Sequence, residues 1–120
     1  MNNEIARYSE ETFESIKHVN EYGNEFWYAR ELQSILEYTE WRNFQKLIEK
    51  AQTACENSDM AVDECFVEVN KTSPMPNGGV KLIEDDSLSR YACYLIVMKG
   101  DPRKEVIAVG QTYFAVKTRQ

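Results

Sequence analysis

Three basic side chains recur at four-residue intervals in the longest helix that the sequence predicts, over residues 40–57. They are Arg42, Lys46 and Lys50. Because four residues turn an α-helix by a full turn and only about 40° more, the three cations form one ribbon away from the apolar residues. Lysine and arginine in such a row mainly contact phosphate groups, and the affinity they supply falls with salt. The ribbon predicts a weak, salt-sensitive contact with DNA.

A second predicted helix, over residues 29–37, precedes this one across a tight break. Two helices joined by a short turn form the unit that places its second helix in a DNA major groove. Asn43 and Gln45 stand near the start of that second helix, where side chains that read bases are expected. Glu40 and Glu49 weaken the positive field, so a helix with mixed charges on its solvent-facing side stays the alternative.

A second basic group surrounds the turn between the last two predicted helices. Lys99, Arg103 and Lys104 flank Gly100, and Arg103 falls within about 40° of Lys117 on an ideal helical wheel. Basic residues at helix C-termini complement the helix dipole, which accounts for Lys99 and Lys117 without a ligand. Arg103 and Lys104 stand at a predicted helix start, where positive charge is unfavourable. These two are therefore the better binding candidates.

The overall charge argues against a protein that coats nucleic acid by bulk attraction, since the net charge is −6 and the pI about 4.8. The charge is uneven, however. Residues 1–60 hold twelve acidic and six basic side chains, whereas residues 87–120 hold two acidic and six basic ones. No apolar run approaches the roughly 18 residues of a membrane helix, so we expect a cytoplasmic protein with no membrane partner.

Enzyme signatures do not occur in the sequence, neither phosphate-binding loops nor zinc-protease or serine-hydrolase motifs. The carboxylates at residues 84–86 suggest a Mg²⁺-dependent nuclease, but a solvated strand end leading into a helix N-terminus explains them more simply. Cys55, Cys65, Cys93 and the single histidine, His18, fit no usual zinc pattern, and free, buried thiols are expected. We predict no catalysis, no metal and no cofactor.

Hydrophobic spacing predicts a small α+β domain with about five helices, a short strand and a β-hairpin. The remaining helices are expected at residues 10–18, from a cap at Ser87 or Ser89 to Gly100, and from a cap at Asp101 onward. The strand covers residues 25–28, and the hairpin pairs residues 65–71 with 80–84 across a tip at 73–79. Without a linker or repeat, residues 1–120 form a single domain.

Aromatic side chains offer a further chemistry, because they can stack on unpaired bases. Their spacing is more typical of core packing, which we expect for most of them. The residues concerned are Phe26, Trp27, Tyr28, Trp41, Tyr91, Tyr94, Tyr113 and Phe114.

Several blocks of the sequence resemble the DNA-damage-inducible protein D family, and the resemblance runs from about Phe13 to Gln120. The first blocks also resemble the broader Bro-N domain of viral and phage antirepressors, which usually carries glycine at the position of Glu37. The matching blocks are residues 26–32, 36–38, 41–44, 88–97 and 110–119.

The resemblance implies a bacterial regulator induced in the SOS response to DNA damage. It implies a Bro-N-like amino-terminal domain of a longer protein, which binds DNA and modulates recombination, and it makes Arg30 and Arg90 candidates for shared binding or structural roles. The alternative is a protein-interaction module whose acidic half contacts a recombinase filament without binding free DNA. A homodimer stays open.

Overall fold

The structure, a computed structural model, describes the backbone of residues 10–118 and the side chains of residues 11–115. Helices and strands are mixed along the chain, so the predicted α+β class is confirmed. The elements in chain order are α1 (Glu10–Glu14), β1 (His18–Val19), β2 (Glu25–Tyr28), α2 (Ala29–Ile35), α3 (Trp41–Asn57), α4 (Val62–Cys65), β3 (Phe66–Pro74), β4 (Val80–Leu88), α5 (Arg90–Lys99) and α6 (Glu105–Thr118).

The four strands form one antiparallel sheet in the order β1-β2-β4-β3. Strand β2 pairs with the base of β4, where Trp27 lies opposite Leu88 and Tyr28 opposite Ser87. Strands β3 and β4 pair along their whole length, from Phe66 opposite Leu88 to Pro74 opposite Val80. The hairpin therefore extends past β2 as a two-stranded arm.

The core lies on one face of the sheet. Trp27, Phe66 and Leu88 point toward the helices and are buried, and the indole of Trp27 donates to the carbonyl of Phe13 at 3.0 Å. Their neighbours along the strands point the other way, since side chains alternate between the faces of a sheet. Phe26 and Tyr28 are accordingly only half-buried, although both are as apolar as the core requires.

Helix α3 forms because apolar residues recur every three or four positions, as the sequence predicts. Phe44, Ile48, Ala51 and Cys55 are buried, and the helix packs against α5. Its opposite side is left to polar side chains and solvent.

Helices α5 and α6 pack closely at Gly110 of α6 and at Gly100, which follows α5. A Cβ atom on Gly110 would stand 3.0 Å from Cζ of Phe13 and 3.0 Å from Cγ1 of Val97.

Helix α5 begins at a side-chain cap, where Ser89 Oγ accepts from the N–H of Ala92 at 3.1 Å, so Ser89 rather than Ser87 is the capping residue.

Helix α2 ends in a Schellman motif, with Glu37 in the left-handed region at φ 65°. The N–H of Glu37 donates to the carbonyl of Ser34, and that of Tyr38 to the carbonyl of Gln33, each at 3.1 Å. Glycine adopts this conformation without a steric penalty, which explains its use at this position in the Bro-N pattern. Asp59 closes α3 in the same conformation, at φ 60°.

Some element boundaries were predicted wrongly. The hairpin strand β4 continues to Leu88 instead of ending near Glu84, so the acidic run at residues 84–86 lies within a strand and is no solvated strand end. Helix α6 begins at Glu105, so Asp101 caps a preceding turn instead of the helix. The short elements β1 and α4 were not predicted. The three cysteines are free and buried, as predicted.

Candidate nucleic-acid interface

The exposed side of α3 carries the ribbon that the sequence predicts. Arg42, Asn43, Lys46 and Lys50 all lie on it and are exposed, and we call these four residues the α3 ribbon. Within the described residues 11–115, no carboxylate pairs with its three cations. Their charge is therefore available to an external anion.

The N-terminus of α3 adds to the positive electrostatic field of the α3 ribbon. Its N-cap, Glu40, has extended backbone angles but accepts no hydrogen bond from the helix through its side chain, and the first turn contains no acidic residue. The first N–H groups of a helix lack intrahelical partners, and together with the dipole they attract anions. The first turn of this 17-residue helix thus combines Arg42 with backbone donors.

The neighbouring flank of α3 has the opposite charge. A groove of about 260 Å³ separates it from the arm, and Glu49 on α3 faces Glu68, Glu84 and Asp86 on β3 and β4 across it. Gln45 Nε2 spans the groove to Glu84 Oε1 at 3.3 Å. We call this the acidic groove. Its carboxylates repel an anion, whereas the cations of the α3 ribbon attract one.

Arg30 lies at the end of the acidic groove and links α2 to β4. Its Nε donates to the carbonyl of Glu84 at 3.0 Å, and its guanidinium stands 3.9 Å from the ring centroid of Trp41. The backbone N–H of Arg30 donates to Asp85 Oδ1 at 2.9 Å. Through these contacts Arg30 has a structural role, and its guanidinium remains next to Trp41 at the start of α3.

Asp85 is the buried carboxylate of the acidic run, at 2% exposure. Its Oδ1 accepts from the N–H groups of Arg30 and Asp86, and its Oδ2 lies 2.9 Å from Nζ of Lys71. Burial and the charges of Asp85 and Glu68 raise the pKa of Asp86 to about 6. Within the described residues, no three histidine, cysteine, aspartate or glutamate side chains are arranged so that they could hold one metal ion.

Arg90 forms a bidentate pair with Glu25, with Nε–Oε1 and Nη2–Oε2 distances of 3.0 and 2.9 Å. Its guanidinium lies 5.0 Å from the ring centroid of Trp27 and 5.1 Å from that of Tyr113. The hydrogen bonds from Arg90 lower the pKa of Glu25. Arg90 thus joins β2 to the helical layer, and its side chain is engaged within the fold.

The second basic group is spread over a turn and two helix ends. Arg103 is 90% exposed and pairs with Asp101 at 2.8 Å, which lowers the pKa of Asp101 to about 2. Lys99 is exposed in the last turn of α5, where it complements the dipole. The side chain of Lys117 lies outside the described residues.

Lys104 contacts the C-terminal end of α2, although it lies far from α2 in the sequence. Its Nζ lies 3.4 Å from the carbonyl oxygens of Leu36 and Glu37 and 4.2 Å from the ring centroid of Tyr38. Carbonyls at a helix C-terminus carry partial negative charge, so an ammonium group is favourable there. The structure therefore brings together the four residues of the α3 ribbon. Of the other predicted residues whose side chains it describes, Arg30, Arg90, Arg103 and Lys104 make intramolecular contacts, and Lys99 lies at the end of α5.

Sequence reasoning missed the partners of these cations. The two residues of each ion pair are far apart in the chain, and no periodic pattern links them. These pairs are Glu25–Arg90 and Lys71–Asp85. The half-buried Phe26 and Tyr28 were detectable, because they alternate with the core residue Trp27 along a strand.

None of the helices in the described part of the chain is both long and apolar enough to cross a lipid bilayer. The chain belongs to the BRO family, because the N-terminal domain of that family matches residues 15–115. It is also similar to DNA damage-inducible protein D of Escherichia coli strain K12, with 46% identity over 108 residues. The alignment covers 90% of this chain but 39% of that protein. No solved structure matches.

Proposed function

We propose that this domain is a DNA-binding module of a DNA-damage-response regulator, and that it contacts duplex DNA through the α3 ribbon. The observation that carries the proposal is the row of three exposed cations along a 17-residue helix, with Arg42 in its first turn and Lys46 and Lys50 in the next two, none of them paired with a carboxylate among the described residues. Arg42 and Asn43 occupy the first turn, where a helix entering the major groove presents side chains to base edges.

The relative's name supports the biological setting. DNA damage-inducible protein D is a protein whose name refers to DNA damage, and 90% of this chain aligns with it. The modulation of recombination, the SOS response and a cytoplasmic location belong to the same proposal, as does the position of this domain at the amino-terminal end of a longer protein. A homodimer stays a prediction that sedimentation of the purified chain tests.

The test is binding of a fluorescent duplex of about two helical turns, followed by anisotropy at low and physiological salt. Arg42→Glu replaces an attractive contact by a repulsive one, so we expect duplex affinity to fall at least about tenfold at low salt. The matched control is Lys81→Glu, the same charge reversal at an exposed lysine of the arm. Unchanged affinity in both Arg42→Glu and Lys46→Glu would show that the α3 ribbon does not bind duplex DNA.

Arg103→Glu tests the second basic group in the same assay. Because Asp101 already neutralises the Arg103 guanidinium, we expect a smaller loss than with Arg42→Glu. A larger loss would move the interface to the turn between α5 and α6.

The acidic groove favours a second function, contact with a recombinase filament. Its four carboxylates match the basic, DNA-binding surface that such a partner presents. This alternative predicts no binding to bare DNA and co-sedimentation with recombinase-coated single strands, lost in Glu68→Lys and retained in Arg42→Glu. The reverse pattern of losses would support the α3 ribbon.

A further inference from the structure

Strand β3 lies at an edge of the sheet, because it pairs with β4 on one side and with no strand of the described chain on the other. Two hydrogen bonds in line with the hairpin show which backbone groups point outward. The N–H of Met75 donates to the carbonyl of Gly79 at 2.8 Å, and that of Ser89 to the carbonyl of Cys65 at 3.0 Å. Bonded and non-bonded pairs alternate along an antiparallel ladder, so the odd-numbered residues of β3 bond to β4. The even-numbered ones direct their N–H and C=O groups toward the open edge.

The open edge is long and accessible. Glu68, Asn70 and Thr72 are exposed, and within the described residues nothing bonds to their outward backbone groups. Pro74, which has no N–H to donate, stands at the end of the nine-residue strand. An unpaired strand edge is a template for another strand, and proteins usually shorten, bend or cover it. This edge therefore offers a pairing site.

The two ends of the edge have opposite charge. Residues 56–68, from the end of α3 through α4 to the start of β3, contain five acidic and no basic side chains. Residues 71–83, the distal part of the arm, contain two lysines and no acidic side chain. A second copy that runs antiparallel along the edge brings the acidic segment of each chain to the basic segment of the other. The same two segments carry five large, exposed apolar side chains, and these are Met60, Val67, Met75, Val80 and Leu82.

We propose that two copies of the chain form a homodimer with twofold symmetry, in which their β3 strands pair antiparallel with Asn70 at the symmetry axis. All nine residues of each β3 then face a residue of the partner, and the two four-stranded sheets join into one. The two Asn70 side chains face each other, and each amide offers both a donor and an acceptor. The homodimer that the sequence leaves open thereby gains a defined interface, which stands whether or not the α3 ribbon binds DNA.

The register follows from charge and strand length. Facing residues of an antiparallel pair point to the same side of the sheet, so the pairing shifts by two residues at a time. One shift toward the tip sets Lys71 against Lys71 of the partner subunit, and like charges directly opposite each other are destabilising. One shift toward the base leaves Ser73 and Pro74 unpaired, and a second sets Glu68 against Glu68 of the partner subunit. Pairing about Asn70 avoids all of these defects.

The same register brings the tip of each arm to a cavity of the other chain. A cavity of about 520 Å³ lies beside the base of β3 and is lined by Gln52, Val62, Asp63, Phe66, Val67 and Glu68. Pro74 of the partner subunit stands opposite Phe66, so Met75 of the partner subunit, the next residue, reaches this cavity. Met75 is 39% exposed in the single chain, and a flexible methionine fills irregular apolar gaps well. The dimer therefore covers an exposed apolar side chain.

Charge on the face of the sheet opposite the helices agrees with this pairing. Glu64 lines a cavity there together with Val69, and within the described residues it has no ion-pair partner. Lys71 of the partner subunit stands opposite Val69, and Lys81 of the partner subunit is its diagonal neighbour. Each Lys71 is already paired with Asp85 at 2.9 Å, so the two lysines near the axis repel each other little. The dimer thus sets basic side chains of one arm near a free carboxylate of the other chain.

Sedimentation velocity of the complete chain without DNA, from about 1 to about 100 μM, measures self-association. We expect a dimer that weakens as salt rises, since the opposed charges are screened. Met75→Asp places a carboxylate beside Asp63 of the partner subunit, so we expect the dissociation constant to rise at least about tenfold. Met98→Asp is the matched control, because Met98 is exposed at the end of α5, away from the edge. A chain that stays monomeric, or equal dissociation constants for the two variants, would overturn the inference.

Cross-linking tests the register. Asn70 and Asn70 of the partner subunit form a hydrogen-bonded pair, in which the Cα atoms lie about 5.5 Å apart. A disulfide spans about 4.4–6.8 Å between Cα atoms, so Asn70→Cys is expected to give a covalent dimer with oxidised glutathione, whereas the three native cysteines are buried. Thr72→Cys is the control, because the two Thr72 lie four residues apart along the strands, at least about 13 Å. Equal yields of covalent dimer from the two variants would overturn pairing about Asn70.

Amide hydrogen exchange provides a readout on the unmodified chain, in case a variant unfolds. The outward N–H groups of Glu68, Asn70 and Thr72 are expected to exchange slowly at high protein concentration and faster on dilution. Those of Val69 and Lys71 bond to β4 and are expected to exchange slowly at both. Fast exchange of the outward groups at every concentration would overturn the inference and leave the edge to a strand of another protein. Either result leaves the duplex proposal untouched, because no residue of the α3 ribbon lines the edge or its cavity.

Discussion

Glu37 has left-handed backbone angles, and it stands at a position where the Bro-N pattern usually carries glycine. A side chain in the left-handed region costs about 1–2 kcal/mol, part of which the Schellman hydrogen bonds offset. Glu37→Gly removes this cost, although glycine loses more backbone entropy on folding. We expect the free energy of unfolding in urea to rise by about 0.5–1 kcal/mol.

The control for that substitution is Glu49→Gly, within the exposed side of α3. There the same change is expected to lower stability by about 1 kcal/mol, because the backbone angles are helical. Equal effects at both positions would mean that the left-handed angle of Glu37 is not strained.

A second prediction concerns a single residue, Asp86, whose ionisation makes the stability of the fold depend on pH. Its folded-state pKa of about 6 lies above the ordinary value of 3.8, so the native state holds its proton more tightly than the unfolded state. This carboxylate therefore destabilises the fold increasingly as pH rises from about 4 to about 6.

We expect Asp86→Asn to raise the free energy of unfolding at pH 7 by about 1 kcal/mol, a value already reduced for solvent screening at this half-buried site. The gain should largely disappear near pH 4, where Asp86 is protonated in the native state and about half protonated in the unfolded state. Urea unfolding of both chains at the two pH values measures it, with the exposed Glu21→Gln as the control. A gain that persists at pH 4 would show a cause other than ionisation.

At the scale of elements, the packing of α6 depends on the absence of a side chain at Gly110. Alanine favours a helix over glycine by about 1 kcal/mol, which alone would stabilise α6. The added Cβ, however, meets the fully buried side chains of Phe13 and Val97 at 3.0 Å, so these side chains must shift by a few tenths of an ångström to accommodate it.

We therefore expect Gly110→Ala to lower the free energy of unfolding by about 1 kcal/mol, since overpacking costs about 1–3 kcal/mol. Urea denaturation checks this, with a constant slope showing that the two-state transition is retained. A stabilised variant would mean that α1 shifts to accommodate the methyl group.

Elements with a regular pattern were predictable from the sequence, and those fixed by distant contacts were not. Helix α3 was expected because its apolar residues recur at helical spacing. The same helical wheel predicted that its cations lie on the exposed side. The extension of β4 to Leu88 depends on pairing with β2 and on Lys71 beside Asp85, which sequence spacing does not reveal. Most of the fold was therefore predictable, whereas the distinction between free and paired basic residues required the structure.

At the scale of the whole molecule, the proposed duplex contact must overcome a net charge of −6 and depends on the three cations of α3, which have no ion-pair partner among the described residues. Each neutralised phosphate contributes about −0.9 to the slope of log affinity against log salt, so three contacts predict a slope of about −2 to −3. Lys46→Ala is expected to make the slope shallower by about one unit. An unchanged slope would mean that Lys46 contacts no phosphate.

The arm has a further consequence for the route by which the chain folds. Its two strands are joined across residues 75–79, and hairpins with such short connections form in about 1–10 μs. The base of the sheet instead requires Trp27 to meet Leu88, and closing so long a stretch of chain is entropically costly and slow. An isolated hairpin is only marginally stable in water, so the arm forms and melts repeatedly until β2 arrives. We therefore expect the arm, whose outer strands are largely exposed in the native state, to begin to form before the part of the sheet that anchors it.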